Sequence, residues 1–111
     1  MQESIEMSTS SPANAPRVTW TFLTNHTHVL VCIANDTTVR LRDVADRVGI
    51  TERAAQSIVA DLVSAGYLSR ARVGRRNTYE IHADHPLRHP VESHRTVGGL
   101  LDFLKSATSA V

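Results

Sequence analysis

The chain has 111 residues, 41% hydrophobic and 21% charged, with a net charge of +1. That length suits one domain with a modest core and leaves little room for two lobes around a catalytic cleft. No apolar run approaches a membrane span, residues 1–16 carry Glu3 and Glu6 with no apolar block and do not read as a secretory signal, and the lone Cys32 excludes an internal disulfide and fits a reducing cytoplasm.

Residues 1–17 are rich in Ser, Thr, Ala, Asn and Pro, a composition expected of a disordered arm. Order is expected from Val18, where Trp20, Phe22 and Leu23 bring aromatic and apolar mass. A first helix should begin after Thr24 or Asn25, either of which can cap free amides, and run through HTHVLVCIA (26–34) to Asn35 and Asp36. Val29, Leu30, Ile33 and Ala34 form a helical stripe, although the β-branched content also fits a buried strand.

Thr37–Val39 reads as a short extended piece. A second helix over 41–48 places Leu41, Val44, Ala45 and Val48 at i, i+3, i+4 and i+7, and Gly49 should end it. Thr51 is a suitable N-cap for a third helix over 52–65, with Glu52 favourably placed at the positive end of its dipole. Its apolar stripe is Ala55, Ile58, Val59 and Leu62, and Gly66 should stop it. Two strands, 67–73 and 78–81, should be joined by the loop Gly74-Arg75-Arg76-Asn77. Period-two alternation would then put Ala71 and Val73 on one face with Tyr79 and Ile81 as inward partners, and Arg70 and Arg72 on the other, within reach of Glu80. A polar linker with Pro86 and Pro90 leads to a last helix over 91–106, whose stripe is Val97, Leu100, Leu101 and Leu104. Gly98 and Gly99 each cost that helix about 1 kcal/mol, so it should pack on something.

The charge is unevenly distributed along these elements. Between Arg40 and Arg76 stand eight arginines and four acids, a local excess of +4, while the rest of the chain carries −3. A basic middle in an acidic frame points to a polyanion-binding surface. Eleven of the twelve cations are arginine, which codon usage explains as readily as a need for bidentate contacts to phosphate and guanine.

Two short helices joined by Val48-Gly49-Ile50-Thr51 make a helix-turn-helix pattern. With the third helix's stripe turned inward, its outward face shows Arg53, Gln56, Ser57 and Ala60. Arginine and glutamine suit guanine and adenine edges, and the small residues admit the helix backbone to a groove floor. Thr51 at the helix start can meet a phosphate. Arg75, Arg76 and Asn77 at the hairpin tip suit a backbone or minor-groove contact, with Arg72 behind them. Arg40 and Arg42 would approach the opposite phosphate strand.

These stretches, LRDVADRVGITER (41–53), IVADLVSAGYLSR (58–70) and VGRRNTY (73–79), resemble the winged-helix DNA-binding domain of small bacterial transcription regulators of the MarR-like and ArsR-like kinds. The resemblance covers residues 24–82, a little over half the chain. It implies a mainly α fold with a small β-hairpin wing (α+β), in the order helix, strand, helix, helix, strand, wing, strand, helix. It also implies a DNA-binding domain over 18–82 and a linker and dimerising helix over 83–111. The third helix would enter the major groove of a near-palindromic operator, with a homodimer held by terminal segments that contain Trp20, Phe22, Val97, Leu100, Leu101 and Leu104. Arg40 stands where the family often has a capping Ser or Thr, Ala54 denies Thr51 a reciprocal capping box, and the cysteine pairs of metal-sensing relatives are missing.

Other readings weigh less. His82, Asp84, His85, His89 and His94 crowd one span, but the intervening prolines break the spacing that would align zinc ligands. There is no phosphate loop, nucleophile elbow or paired-carboxylate motif, so neither an enzyme nor a cofactor is expected. The reading is a cytoplasmic, dimeric repressor whose partner is double-stranded DNA, with no membrane contact and its effector, if any, unknown. The alternative is a winged helix that binds an acidic protein partner.

Overall fold

A computed structural model describes residues 20–109, with side chains through Lys105. The arm expected over 1–17, and the start of order at Val18, lie outside the described residues. Helix α1 spans Asn25–Asn35, with Thr24 as its N-cap: the Thr24 hydroxyl accepts the Thr27 amide at 3.3 Å. The β-branched run is therefore helical, because Val29, Leu30, Cys32 and Ile33 fall on one buried stripe. Helix α2 spans Leu41–Val48 and α3 spans Glu52–Ser64. Gly49 between them has φ +86°, a left-handed turn that a side chain would strain. Its amide and that of Ile50 both reach the Ala45 carbonyl, at 2.8 and 3.0 Å, and so tighten the corner between the helices.

The strand expected over 37–39 does not form. The Asp36 carboxylate accepts both the amide (3.0 Å) and the hydroxyl (2.8 Å) of Thr38, and this local turn curls the chain out of ladder geometry. One backbone bond survives, from the Tyr79 amide to the Thr37 carbonyl at 3.0 Å. Among the described residues the sheet is thus the hairpin alone, β1 (Leu68–Val73) antiparallel to β2 (Arg76–Ile81).

Helix α4 spans Val97–Ser109, starting six residues later than Val91. Residues 91–96 instead close a turn that returns the chain antiparallel to 83–87. Leu87 donates to the Arg95 carbonyl, Val97 to that of His85 and Gly98 to that of Ala83, each at 2.9 Å. The Thr96 hydroxyl then caps the helix by accepting the Gly99 amide at 3.1 Å. Gly98 has a positive use here: a Cβ on it would lie 2.6 Å from the Ala83 Cβ and 2.7 Å from the Ala83 carbonyl oxygen. Glycine is thus tolerated inside the helix because two backbones meet there.

The fold is α+β, a winged helix. One core joins Val29, Leu30 and Ile33 of α1 to Val44 of α2, to Ile58, Val59 and Leu62 of α3, and to Tyr67, Leu68 and Tyr79 at the hairpin root. Val97 and Leu101 of α4 complete it. The segment after Ile81 is therefore woven into the body and is not a free linker. Among the described residues, no helix is long and apolar enough to cross a membrane.

Candidate nucleic-acid interface

Helix α3 is held on three sides. At its start the Thr51 hydroxyl accepts the Ala54 amide at 3.0 Å, and no reciprocal side chain completes a box. Its inner face is fixed by Ala55, Ile58, Val59 and Leu62, all buried. At its end two imidazoles take up free carbonyls: His85 Nε2 donates to Ala65 at 2.8 Å and His82 Nδ1 donates to Gly66 at 2.7 Å. His82 Nε2 then accepts from the Ser69 hydroxyl at 2.6 Å. Gly66, at φ +91°, leaves the space His85 occupies, since a Cβ there would stand 2.7 Å from its Nε2. The histidines that suggested a metal thus include two helix caps, and among the described residues no three His, Cys, Asp or Glu side chains converge to hold an ion.

The outer face of α3 is as the periodicity predicts. Arg53, Gln56, Ser57 and Ala60 are exposed, and none of their side chains has a hydrogen bond or ion pair among the described residues. One feature of this helix escaped the sequence. Asp61 stands one turn beyond Ser57, and its carboxylate meets His26 Nε2 of α1 at 2.9 Å. A contact across 35 residues leaves no local signature, so His26 reads from sequence only as an exposed polar residue.

Arg40 and Arg42 are exposed at the start of α2, and Arg40 occupies the N-cap position without a side-chain cap bond. The acids Asp43 and Asp46 share that exposed surface.

The hairpin corrects two expectations. Its register pairs Val73 with Arg76, so the loop is only Gly74 and Arg75, and Arg76 and Asn77 belong to β2. Gly74 has φ +63°, which a two-residue hairpin turn requires at its first position. The same register pairs Leu68 with Ile81, Arg70 with Tyr79 and Arg72 with Asn77. Directly opposed residues share a face, so Arg70 and Arg72 lie on the core-side face beyond the buried root, and Ala71 and Val73 lie on the solvent face. Alternation along a single strand does not say which residues oppose each other; the register between the two strands does. Glu80 pairs with Ser69 on the opposite face, so it makes no ion pair with Arg70 or Arg72. Arg75 is exposed at the tip without a partner among the described residues, whereas Arg76 Nη2 donates to the Thr38 carbonyl at 2.7 Å.

Among the described residues, two groups are electrostatically perturbed. The hydrogen bonds from the Thr38 hydroxyl and amide, helped by the charges of Arg76 and Arg47, hold the Asp36 carboxyl below its ordinary value. Burial pushes the Tyr67 phenol above its ordinary value against the weaker pull of Arg88; its hydroxyl donates to the Pro86 carbonyl at 2.8 Å.

The residues expected to make a dimer divide. Trp20 and Phe22 are 68% and 92% exposed and touch edge to face, ring centroids 5.2 Å apart. Leu100 and Leu104 are half-buried, but Val97 and Leu101 lie in the chain's own core and are not available to a second copy. Phe103 is 72% exposed; sequence reasoning missed it because it lies off the apolar stripe. A groove of about 850 Å³ runs between the start of α1, the end of α3, the 87–92 turn and α4, floored by Leu30, Leu62, Tyr67 and Leu101.

The sequence matches no protein-family model and no curated protein. Among solved structures the chain is similar to the PcaV transcriptional regulator from Streptomyces coelicolor in complex with its natural ligand, with a TM-score of 0.49 and 21% identity. The similarity covers 79% of this chain and 61% of that structure.

Proposed function

We propose that this chain is a sequence-specific DNA-binding regulator of bacterial transcription, acting as a dimeric repressor that occupies a near-palindromic operator. The observation that carries the reading is the outer face of α3. It presents an arginine and a glutamine between small residues, exposed and without internal partners, on a helix whose inner face, start and end are all fixed by the body. A rigid helix with unengaged base-reading side chains is what direct readout in a major groove needs.

In this reading Arg53 and Gln56 read base edges, Ser57 positions the helix, and Arg75 anchors the wing on the backbone. Arg40 and Arg42 meet the flanking phosphates, and Arg72 and Asn77 support the wing from its core-side face. Thr51 combines its capping bond with a phosphate contact through the amides behind it. A second copy docks through Trp20, Phe22, Leu100 and Leu104, with Phe103 added, and sets the two α3 helices about 34 Å apart, one duplex turn. Repression follows most simply from blocking polymerase, and such a role places the protein in the cytoplasm.

The test is selection of bound fragments from genomic DNA at near-physiological salt, followed by footprinting. Enrichment of a two-fold symmetric motif with half-sites one turn apart supports the proposal. Failure to enrich any duplex, with retention of an acidic protein partner in its place, would replace it with the interaction-module reading.

A further inference from the structure

Arg75 and Arg76 are neighbours in sequence but differ in what they hold. Arg75 sits in the turn with no partner among the described residues, while Arg76 opens β2 and its Nη2 reaches back 38 residues to the Thr38 carbonyl. The adjacent carbonyl, of Thr37, accepts the Tyr79 amide. Two successive carbonyls of the α1–α2 loop therefore hold β2 at two points three residues apart. The loop offering them is itself braced, since Asp36 accepts two bonds from Thr38 and the Val39 amide donates to the Asp36 carbonyl at 3.0 Å.

The position of this contact matters. A two-stranded ribbon is marginal by itself and gains rigidity only from what it leans on. The hairpin root leans on the core through Leu68 and Tyr79, but Ala71, Arg72 and Val73 are all exposed, so no burial supports the distal half of β1. Arg76 lies opposite that half, at the start of β2 and paired with Val73. A charge-assisted bond from a guanidinium to a carbonyl keeps its strength in water better than a neutral one, and the arginine stem has the length to cross from strand to loop.

We infer that Arg76 is a positioning residue that sets the angle of the wing against the helix-turn-helix and makes no phosphate contact of its own. The inference rests on the DNA-binding reading above for its consequence, but its structural half does not need DNA.

The experiment uses the full chain and three variants, Arg75→Ala, Arg76→Ala and Arg76→Lys, with two readouts. The first is hydrogen exchange at the Tyr79 amide without DNA, with the Ile33 amide as a control for global unfolding. The second is the salt dependence of binding to a fluorescent mixed-sequence duplex of about 30 base pairs, three helical turns. Arg76→Ala should speed Tyr79 exchange several-fold, leave Ile33 unchanged and weaken binding several-fold at an unchanged salt slope. Arg76→Lys keeps the charge but loses the fork, and should fall between wild type and Arg76→Ala in exchange. Arg75→Ala should leave exchange alone and lower the slope by about 0.9. A slope that falls by about one for Arg76→Ala overturns the inference, as does unchanged Tyr79 exchange. If the wild-type chain binds no duplex, the DNA reading fails, and Tyr79 exchange alone decides whether Arg76 clamps the wing.

Discussion

The two faces of α3 are built on one backbone with similar helix propensities, yet only one of them is explained by folding. Ala55 and Val59 are wholly buried, and Ile58 and Leu62 are 8% and 5% exposed; Ile58, Val59 and Leu62 share one core with α1, α2 and the hairpin root. The side chains of Arg53, Gln56 and Ser57, a residue or two away along the chain, are exposed and have no hydrogen bond or ion pair among the described residues. The inner face is set by burial, so its chemistry is constrained to apolar groups of the right size. The outer face is free of that constraint. Residues there that are both specific in hydrogen-bonding geometry and unengaged point to an external partner more strongly than a surface of lysines and glutamates would.

The sharpest way to break this contrast is to exchange the two effects. Ile58→Ala leaves a cavity in the core and should cost about 2–5 kcal/mol of stability, seen as a lower urea midpoint at an unchanged slope. A loss below about 1 kcal/mol would mean that the inner face is packed loosely and that the asymmetry of α3 is weaker than its burial suggests. Arg53→Ala should do the reverse. Its urea midpoint should match wild type, while affinity for a selected duplex should fall by about 1–3 kcal/mol and discrimination at one base pair should relax. If affinity and preference are both retained, the outer face is a solvated surface and the readout proposed for it is wrong.

The contrast was legible in the sequence because both faces obey one period. A spacing of i, i+3, i+4 and i+7 names the inner residues and, by subtraction, the outer ones, and Thr51 and Gly49 mark where the helix can start. What the sequence concealed depends on contacts between distant segments. Cross-strand register decided that Arg70 and Arg72 share a face with Tyr79, and register is a property of two strands together. The link from Arg76 to Thr38, the pairing of His26 with Asp61, and the capping of α3 by His82 and His85 all span more than a dozen residues and leave no periodic trace. The late start of α4 has the same origin. Residues 91–96 are drawn into a return against 83–87, and the local apolar pattern does not record that competition.

Tyr67 extends the comparison past the end of α3, to a side chain that is buried yet polar. Its ring lies in the core and stacks on His85 at a centroid distance of 4.5 Å, and its hydroxyl donates to the exposed Pro86. Tyr67→Phe keeps the ring and deletes the bond, which should cost about 1 kcal/mol at neutral pH, the smallest of these effects. The pH dependence identifies the cause. Burial raises the phenol above its ordinary value of 10.0, so the fold favours the neutral form. Below that ordinary value both folded and unfolded chains carry the proton, and the stabilisation is fully present. As pH rises through the elevated value of the folded state, the unfolded chain releases its proton first and the stabilisation is lost. The stability gap between wild type and Tyr67→Phe should therefore be constant from neutral pH to about pH 9 and then narrow. Urea titrations of both proteins across that range measure it directly. A gap that stays constant to about pH 11 would mean that the phenol is not shielded by the fold, and that Tyr67 belongs with the outer residues of the comparison and not with the inner ones.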